Sequence, residues 1–164
     1  MKTAPLSALA VALRTPVSGA DFLNAYLLGY EVACRVGLAI YPWHYNRGWH
    51  ITGTAGIFGA TAAAGKLLRL DEKHMVWALG IASTQSAGLR EMFGSMCKNL
   101  HIGCAARNGL WSALLAAKGF TSSERSLEAP RGFAHVLGEK PNLDPMIMFS
   151  TVMFFLTAST LSAF

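Results

Sequence analysis

Hydrophobic residues recur three and four positions apart along most of the chain, a spacing that places them on one face of an α-helix. The clearest example comprises Phe22, Ala25, Gly29, Val32, Val36 and Ile40. Ser18 and Asp21 form a capping-box pattern before this series and Pro42 follows it, so they predict where the helix begins and ends. Gly29 in mid-helix indicates a close packing contact rather than a break. Another helix is expected over residues 1–13.

The same spacing predicts two helices further along the chain, over about 54–70 and 100–118. Asp71 is expected to cap a helix between them, and Gly119 to stop the second one. The 54–70 helix carries small residues at every fourth position, which lets another backbone approach closely. These small residues are Gly56, Ala60 and Ala64.

Two other stretches, 41–50 and 86–99, combine glycines with mixed polarity and are interpreted as connections. Thr121-Ser-Ser-Glu124 repeats the capping-box pattern and predicts a short helix. The alternation of apolar and polar residues that is typical of a strand is not found at any useful length. The sequence therefore predicts an all-α fold, a helical bundle.

The composition narrows the class of protein. Of the 164 residues, 52% are hydrophobic and only 14% are charged, which excludes a disordered, acidic-tail or fibrous chain. Three interpretations stay open: a globular protein with an oversized core, a membrane protein, or a piece of a larger protein whose apolar faces expect a partner. The net charge is +5, but the basic residues are scattered, so no nucleic-acid partner is expected and attraction for small anionic substrates is preferred.

Targeting and compartment follow from three further features. Three cysteines form no disulfide-scaffold spacing, which favours a reducing compartment and a cytoplasmic location. Residues 1–13 resemble a signal peptide only faintly, and a helix of the domain is favoured. Residues 145–164, which follow Asp144, carry no charged side chain. This run is as long as a membrane-spanning helix, which needs about 20 residues. A terminal segment whose natural packing partner is absent is favoured over a membrane anchor there, since the run carries six serines and threonines and no basic residue follows it.

Two groups of residues are candidates for chemistry. One group lines a single helix face and offers sulfur and imidazole ligands to zinc: Cys97, His101 and Cys104. A fourth ligand would have to come from elsewhere in the chain. Residues of this kind on a helix more commonly serve in packing. The stronger group is His50 with Lys98 and His101, each beside glycines that allow a ligand close to the backbone. A lysine holds an anion, and a histidine titrates near neutrality and moves protons. The alternative is a histidine that bridges two helices.

Five motifs resemble the MmgE/PrpD family in the order in which its members carry them. They are G-W-H-I-T-G-T-A-G at 48–56, K-L-L-R-L-D at 66–71, A-L-G-I-A-S-T-Q-S-A-G-L-R-E at 78–91, K-N-L-H-I-G-C-A-A-R-N-G at 98–109 and E-A-P-R-G-F at 128–133. The resemblance implies part of a large helical domain over residues 1–133, followed by a divergent apolar tail over 134–164. It also implies a homodimer that works without a metal or organic cofactor.

The family includes 2-methylcitrate dehydratase, cis-aconitate decarboxylase and iminodisuccinate epimerase, so the resemblance implies proton transfer beside a carboxylate of a small di- or tricarboxylate. It assigns His50 an acid/base or substrate-binding role and Lys98 the binding of a substrate carboxylate. His101, Thr52 and Arg90 are expected to bind substrate or to support the site.

Departures from the family pattern qualify these expectations. Cys97 stands where the lysine motif usually has threonine, and Asn99 and Cys104 also replace usual residues. The family's N-terminal site motif and its smaller domain, which supplies a further lysine and a tyrosine, are expected outside this sequence, so the chain is interpreted as a middle fragment. A location in the mitochondrion is possible if a transit peptide preceded it. The sequence therefore predicts a lyase impaired by truncation, and the alternative is a non-catalytic helical fragment that associates with itself or with a full-length relative.

Overall fold

The computed structural model describes residues 2–147, and their secondary structure is helical. The helices are α1 (Thr3–Ala12), α2 (Gly19–Ile40), α3 (Trp43–Asn46), α4 (Ile51–Thr54), α5 (Gly56–Leu67), α6 (Glu72–Ser83), α7 (Cys97–Ala117), α8 (Phe133–Leu137) and α9 (Asp144–Ile147). A single 3₁₀ turn over Arg90–Met92 precedes α7. The only extended pairing among these residues is an isolated bridge between Trp49 and Leu89. The predicted all-α fold is confirmed.

Helix α5 is the centre of the bundle. It packs against α1, α2, α6 and α7, and ten of its 12 residues are buried. The crossing with α2 is a contact between backbones, because the carbonyl oxygens of Gly29 and Gly59 each lie where a Cβ of the other residue would stand. The small-residue pattern of α5 and the close contact predicted at Gly29 are therefore both confirmed.

The predicted helix boundaries hold where a side chain caps the helix. Ser18 Oγ accepts a hydrogen bond from the Asp21 amide at 3.0 Å, and Asp71 Oδ1 accepts one from the His74 amide at 2.9 Å. The Ser18 hydroxyl in turn donates a hydrogen bond to the Asp21 carboxylate at 2.7 Å, so the two residues of the capping box are bonded to each other. Gly119 ends α7 in the left-handed region, with φ of 82°.

Several boundaries differ from those predicted. The helix expected over about 54–70 is shorter than predicted, since α5 covers Gly56–Leu67 and Thr54 is the last residue of the separate helix α4. The connections contain short helical elements, α3 and the 3₁₀ turn, and α7 begins at Cys97 rather than near residue 100.

The short helix predicted at Thr121 does not form. Residues 124–128 are turns, because the hydroxyl of Ser122 donates to the Trp77 carbonyl at 2.9 Å. This hydrogen bond holds the segment against α6, which carries Trp77. The serine at 123 caps only a local turn, where its Oγ accepts from the Arg125 amide at 3.3 Å.

The chain beyond residue 132 packs back onto the bundle as far as it is described. Phe133 and Ala134 are buried in the main hydrophobic cluster, and Leu143 and Met146 pack against it. The Asn142 amide donates to the Ala39 carbonyl at 2.8 Å. Most of the apolar stretch considered as a membrane span, 148–164, lies outside the described residues. Among the helices of residues 2–147, none combines the length and the apolarity needed to cross a bilayer.

Candidate active site

His50 is fixed by the backbone on both sides. It is the N-cap residue of α4, and its carbonyl accepts hydrogen bonds from the amides of Gly53 at 2.8 Å and Thr54 at 3.1 Å. Its own amide donates to the Gly88 carbonyl at 3.0 Å, beside the bridge between Trp49 and Leu89. The residue is only 5% exposed. The segment after α6 therefore holds His50 in place from the side opposite to α4.

His101 meets His50 from the second turn of α7. The two Nδ1 atoms lie 2.9 Å apart, and the ring centroids are 5.1 Å apart. One hydrogen must lie between these nitrogens, since two lone pairs or two N–H groups would repel each other. In the neutral pair, one ring consequently carries a lone pair on Nε2 while the other carries an Nε2–H. The geometry thus presents one proton acceptor and one proton donor.

Phe93 and Lys98 complete the neighbourhood of the histidine pair. The Phe93 ring stands edge-on to His50, with centroids 4.9 Å apart and an interplanar angle of 84°. Lys98 Nζ lies 5.0 Å from the centroid of the same phenyl ring, and the lysine is exposed. The phenyl ring therefore contacts both a surface lysine and a buried imidazole.

The electrostatics of the pair favour a neutral His50. Burial lowers the pKa of His50, and the positive charges of His101 and Lys98 lower it further. A lowered pKa keeps the imidazole neutral and, when it is protonated, makes it a stronger proton donor.

Two glycines leave room for the pair. Gly88 has φ of 138°, and a Cβ on it would stand 3.4 Å from the ring of His101 and 3.5 Å from His50 Cβ. A Cβ on Gly53 would collide with the Ala87 carbonyl oxygen and would lie 3.5 Å from His101 Cβ. The left-handed backbone at Gly88 excludes other residues for a second reason, because L side chains rarely adopt that conformation.

Arg90 lies beside the site rather than against the histidines. Its NH1 donates to the Tyr45 carbonyl at 2.8 Å, its guanidinium carbon stacks 3.9 Å from the Tyr45 ring centroid, and its amide donates to the Gly48 carbonyl at 2.7 Å. Its Nε is buried without a hydrogen-bond partner among the described residues. Arg90 and Phe93 line one groove of about 580 Å³, so this groove and the histidine pair share the phenyl ring as a wall.

The structure thus brings His50, His101 and Lys98 together and fastens Arg90 to the α3 segment. Thr52 lies on α4 and is half-buried. It is Thr54, the other threonine of α4, whose side chain forms hydrogen bonds, with His44 and with the His50 carbonyl.

The sequence analysis missed His44, which is completely buried. Its Nδ1 lies 3.0 Å from the Leu137 carbonyl, which can only accept, so Nδ1 carries the hydrogen. Nε2 accepts from the Thr54 hydroxyl at 2.6 Å, and the ring stacks on Trp49 at 5.7 Å. Burial lowers the pKa of His44, and the hydrogen bond to Leu137 opposes this only in part. The one available signal was its position six residues before His50.

The three candidate zinc ligands do not converge. Cys97, His101 and Cys104 lie along α7, and both cysteines are free and half-buried. Within residues 2–147, no three His, Cys, Asp or Glu side chains meet at a point where they could hold a metal ion.

Comparisons with known proteins give one consistent answer. The family described as MmgE/PrpD N-terminal domain matches residues 5–146. A cis-aconitate decarboxylase of Aspergillus terreus is 42% identical over 118 residues, which are 71% of this chain and 24% of that protein. The cis-aconitate decarboxylase-like protein oryM of Aspergillus oryzae is 37% identical over 139 residues, or 80% of this chain and 29% of that protein. The human cis-aconitate decarboxylase is 34% identical over 146 residues, which are 87% of this chain and 30% of that protein. The chain therefore spans less than a third of the length of these relatives.

Proposed function

The chain belongs to the MmgE/PrpD family, and we propose that it carries the proton-transfer half of a lyase site for a small di- or tricarboxylate. The observation that carries the proposal is the Nδ1–Nδ1 hydrogen bond between His50 and His101, with Lys98 nearby. The names of the relatives favour decarboxylation of cis-aconitate over dehydration of 2-methylcitrate.

The histidine pair acts as a unit in this proposal. When neutral, it has one free Nε2 lone pair, which can take a proton from a carbon beside a carboxylate. When singly protonated, it keeps the shared Nδ1 hydrogen and has an N–H on both Nε2 atoms, so it can give a proton away. The lowered pKa of His50 favours release of a proton from the protonated pair.

Decarboxylation needs the donating form. The bond between the leaving carboxylate and its carbon breaks, carbon dioxide departs, and the electron pair delocalises into the conjugated acid that remains. The protonated pair then donates one proton to carbon and becomes neutral, and water restores the proton. Dehydration would use both forms in turn: the pair removes a proton from carbon and then protonates the leaving hydroxyl group.

Lys98 supplies the charge that such a reaction requires. Its ammonium group is exposed and stands beside Phe93, where it can meet a substrate carboxylate as a point charge. Arg90 is bound to the backbone of Tyr45, so its proposed role is to position the groove wall. Thr52 has a supporting role, as part of the helix that His50 caps.

The experiment is turnover by the purified chain. We expect slow release of carbon dioxide from cis-aconitate, and 2-methylcitrate serves as the second substrate. His50→Gln and His101→Gln should each lower the rate at least about a hundredfold, the usual contribution of a positioned acid or base. Lys98→Gln should weaken substrate binding about tenfold, because it removes a charged contact with the substrate carboxylate. Lys73→Gln is the matched control, since Lys73 stacks on Trp77 of α6. Equal rates in the His50→Gln variant and the unchanged chain would contradict the proposal, as would no rate above that of buffer.

A second candidate, non-catalytic association with another chain, is favoured by exposed leucines on α1, on the residue that follows it and on α2. They are Leu6, Leu9, Leu13, Leu23 and Leu27, between 47% and 76% exposed. Patches of this kind mark interaction surfaces. Light scattering over a concentration series tests self-association, and a monomer at all concentrations would count against a dimer of this chain.

A further inference from the structure

A cavity of about 730 Å³ lies away from the histidine pair. It is bounded by the second half of α6, by the segment 120–132 and by α8. Its volume is in the range of small-molecule sites, about 300 to 1,000 Å³. None of the candidate active-site residues lines it.

The charged side chains that line this cavity are both basic. They are Arg125 and Arg131, and no Asp or Glu is among the lining residues. Arg125 contacts Glu128 at 3.2 Å, with both side chains largely open to solvent, so this pair is weak. Arg131 forms no ion pair with any residue in 2–147. The cavity therefore has one guanidinium free to bind an anion and a second that is loosely held.

Hydroxyl groups surround the arginines. Ser83, Ser86 and Ser122 already donate to backbone carbonyls and offer only lone pairs. Ser123 accepts a hydrogen bond from the Arg125 amide at 3.3 Å. Three further lining hydroxyls make no side-chain hydrogen bond to a described residue and can donate to an anion; they are Thr84, Thr121 and Ser126. Segment 120–132 thus supplies donors to the cavity at the place where the sequence predicted a helix.

The rest of the lining is apolar. Phe133 forms part of the buried floor, and two apolar side chains at the cavity stay open to solvent, Phe120 at 58% and Val136 at 67%. A simple inorganic anion would leave both uncovered, whereas a ligand with a hydrocarbon part would bury them.

We propose that this cavity binds a small organic anion that combines a carboxylate with a short hydrocarbon chain. The carboxylate binds Arg131, with Arg125 and the free hydroxyls around it. The hydrocarbon part covers Phe120 and Val136.

The test uses three probes on the whole chain, followed by amide NMR: hexanoate, hexanol and inorganic phosphate. Hexanoate should shift the amides of Gly80, Ser126 and Gly132 saturably and leave the ring protons of His50 and His101 in place. Hexanol and phosphate each lack one half of the ligand and should bind more weakly. Arg131→Gln should weaken hexanoate binding about tenfold, because it removes a charged hydrogen bond.

Two further variants keep the test decisive. Arg14→Gln, at an exposed arginine outside the cavity, should leave hexanoate affinity unchanged. Val136→Ser should weaken hexanoate binding but not phosphate binding, and it serves if Arg131→Gln fails to fold. The proposal is overturned if hexanoate causes no saturable shift, if it shifts the histidine rings instead, or if phosphate or hexanol binds as tightly. Any of these results would leave the lyase proposal standing, because that proposal depends on other residues.

Discussion

Replacing Gly29 by alanine should separate α2 from α5, because the added methyl group has no space. It would collide with the Gly59 carbonyl oxygen and would stand 2.8 Å from Ala4 Cβ and 2.9 Å from Ala63 Cβ. All three neighbours are backbone or short side chains on packed helices, so none can rotate away. Overpacking costs up to about 3 kcal/mol, and the better helix propensity of alanine returns about 1 kcal/mol. We expect the free energy of unfolding to fall by about 2 kcal/mol.

Gly103→Ala is the matched control for this substitution. Gly103 is exposed within α7, and a Cβ there meets nothing within 4 Å. Only the propensity gain then applies, and the free energy of unfolding should rise by up to about 1 kcal/mol. Urea unfolding followed by circular dichroism at the helical band measures both variants. The reasoning is refuted if Gly29→Ala is as stable as the unchanged chain, or if both variants lose stability equally.

Three further predictions concern titration and backbone strain. Because burial lowers the pKa of His44, the unfolded chain binds its proton at higher pH than the folded chain does. Stability should therefore fall as pH drops below about 6.5, and urea unfolding of His44→Asn should show a smaller slope with pH; an unchanged slope would contradict this. Lys98→Gln should raise the pKa of His50 in an NMR titration, while Lys73→Gln should leave it unchanged. An unchanged pKa of His50 in Lys98→Gln would show that the lysine charge does not reach the imidazole. Arg69 has φ of 55°, so Arg69→Gly should stabilise the chain by about 1 kcal/mol in urea unfolding, and a loss would assign a stabilising contact to the arginine side chain.

Local signals were enough to predict most of the fold. Ser18 and Asp71 cap their helices with their own side chains, and Gly119 stops α7 with its own backbone, so no distant residue had to be known. The prediction failed where a distant partner decides. The hydroxyl of Ser122 bonds to the Trp77 carbonyl, 45 positions away, and the capping pattern at Thr121 cannot reveal that contact.

The candidate site was predictable in its residue types but not in its geometry. Histidine and lysine beside glycines indicated His50, Lys98 and His101, yet the Nδ1–Nδ1 contact depends on how α4 and α7 pack. His44 stayed unnoticed because its role is set by the carbonyl of Leu137, 93 positions away. Spacing along a chain carries no information about contacts of that range.

The small residues of α5 also set the geometry of the histidine pair. His50 caps α4 and His101 lies on α7, and both helices pack against α5. A Cβ on Gly109 of α7 would stand 2.5 Å from Ala60 Cβ and 2.8 Å from the Ile57 carbonyl oxygen, so α7 lies as close to α5 as two backbones allow. A larger side chain at either position would move α7 outward and lengthen the 2.9 Å contact between the imidazoles, which a hydrogen bond tolerates only over a few tenths of an ångström. The composition of α5 thus has a cause inside the bundle: a helix enclosed by four others must be small and apolar for α7 to bring His101 within hydrogen-bonding distance of His50.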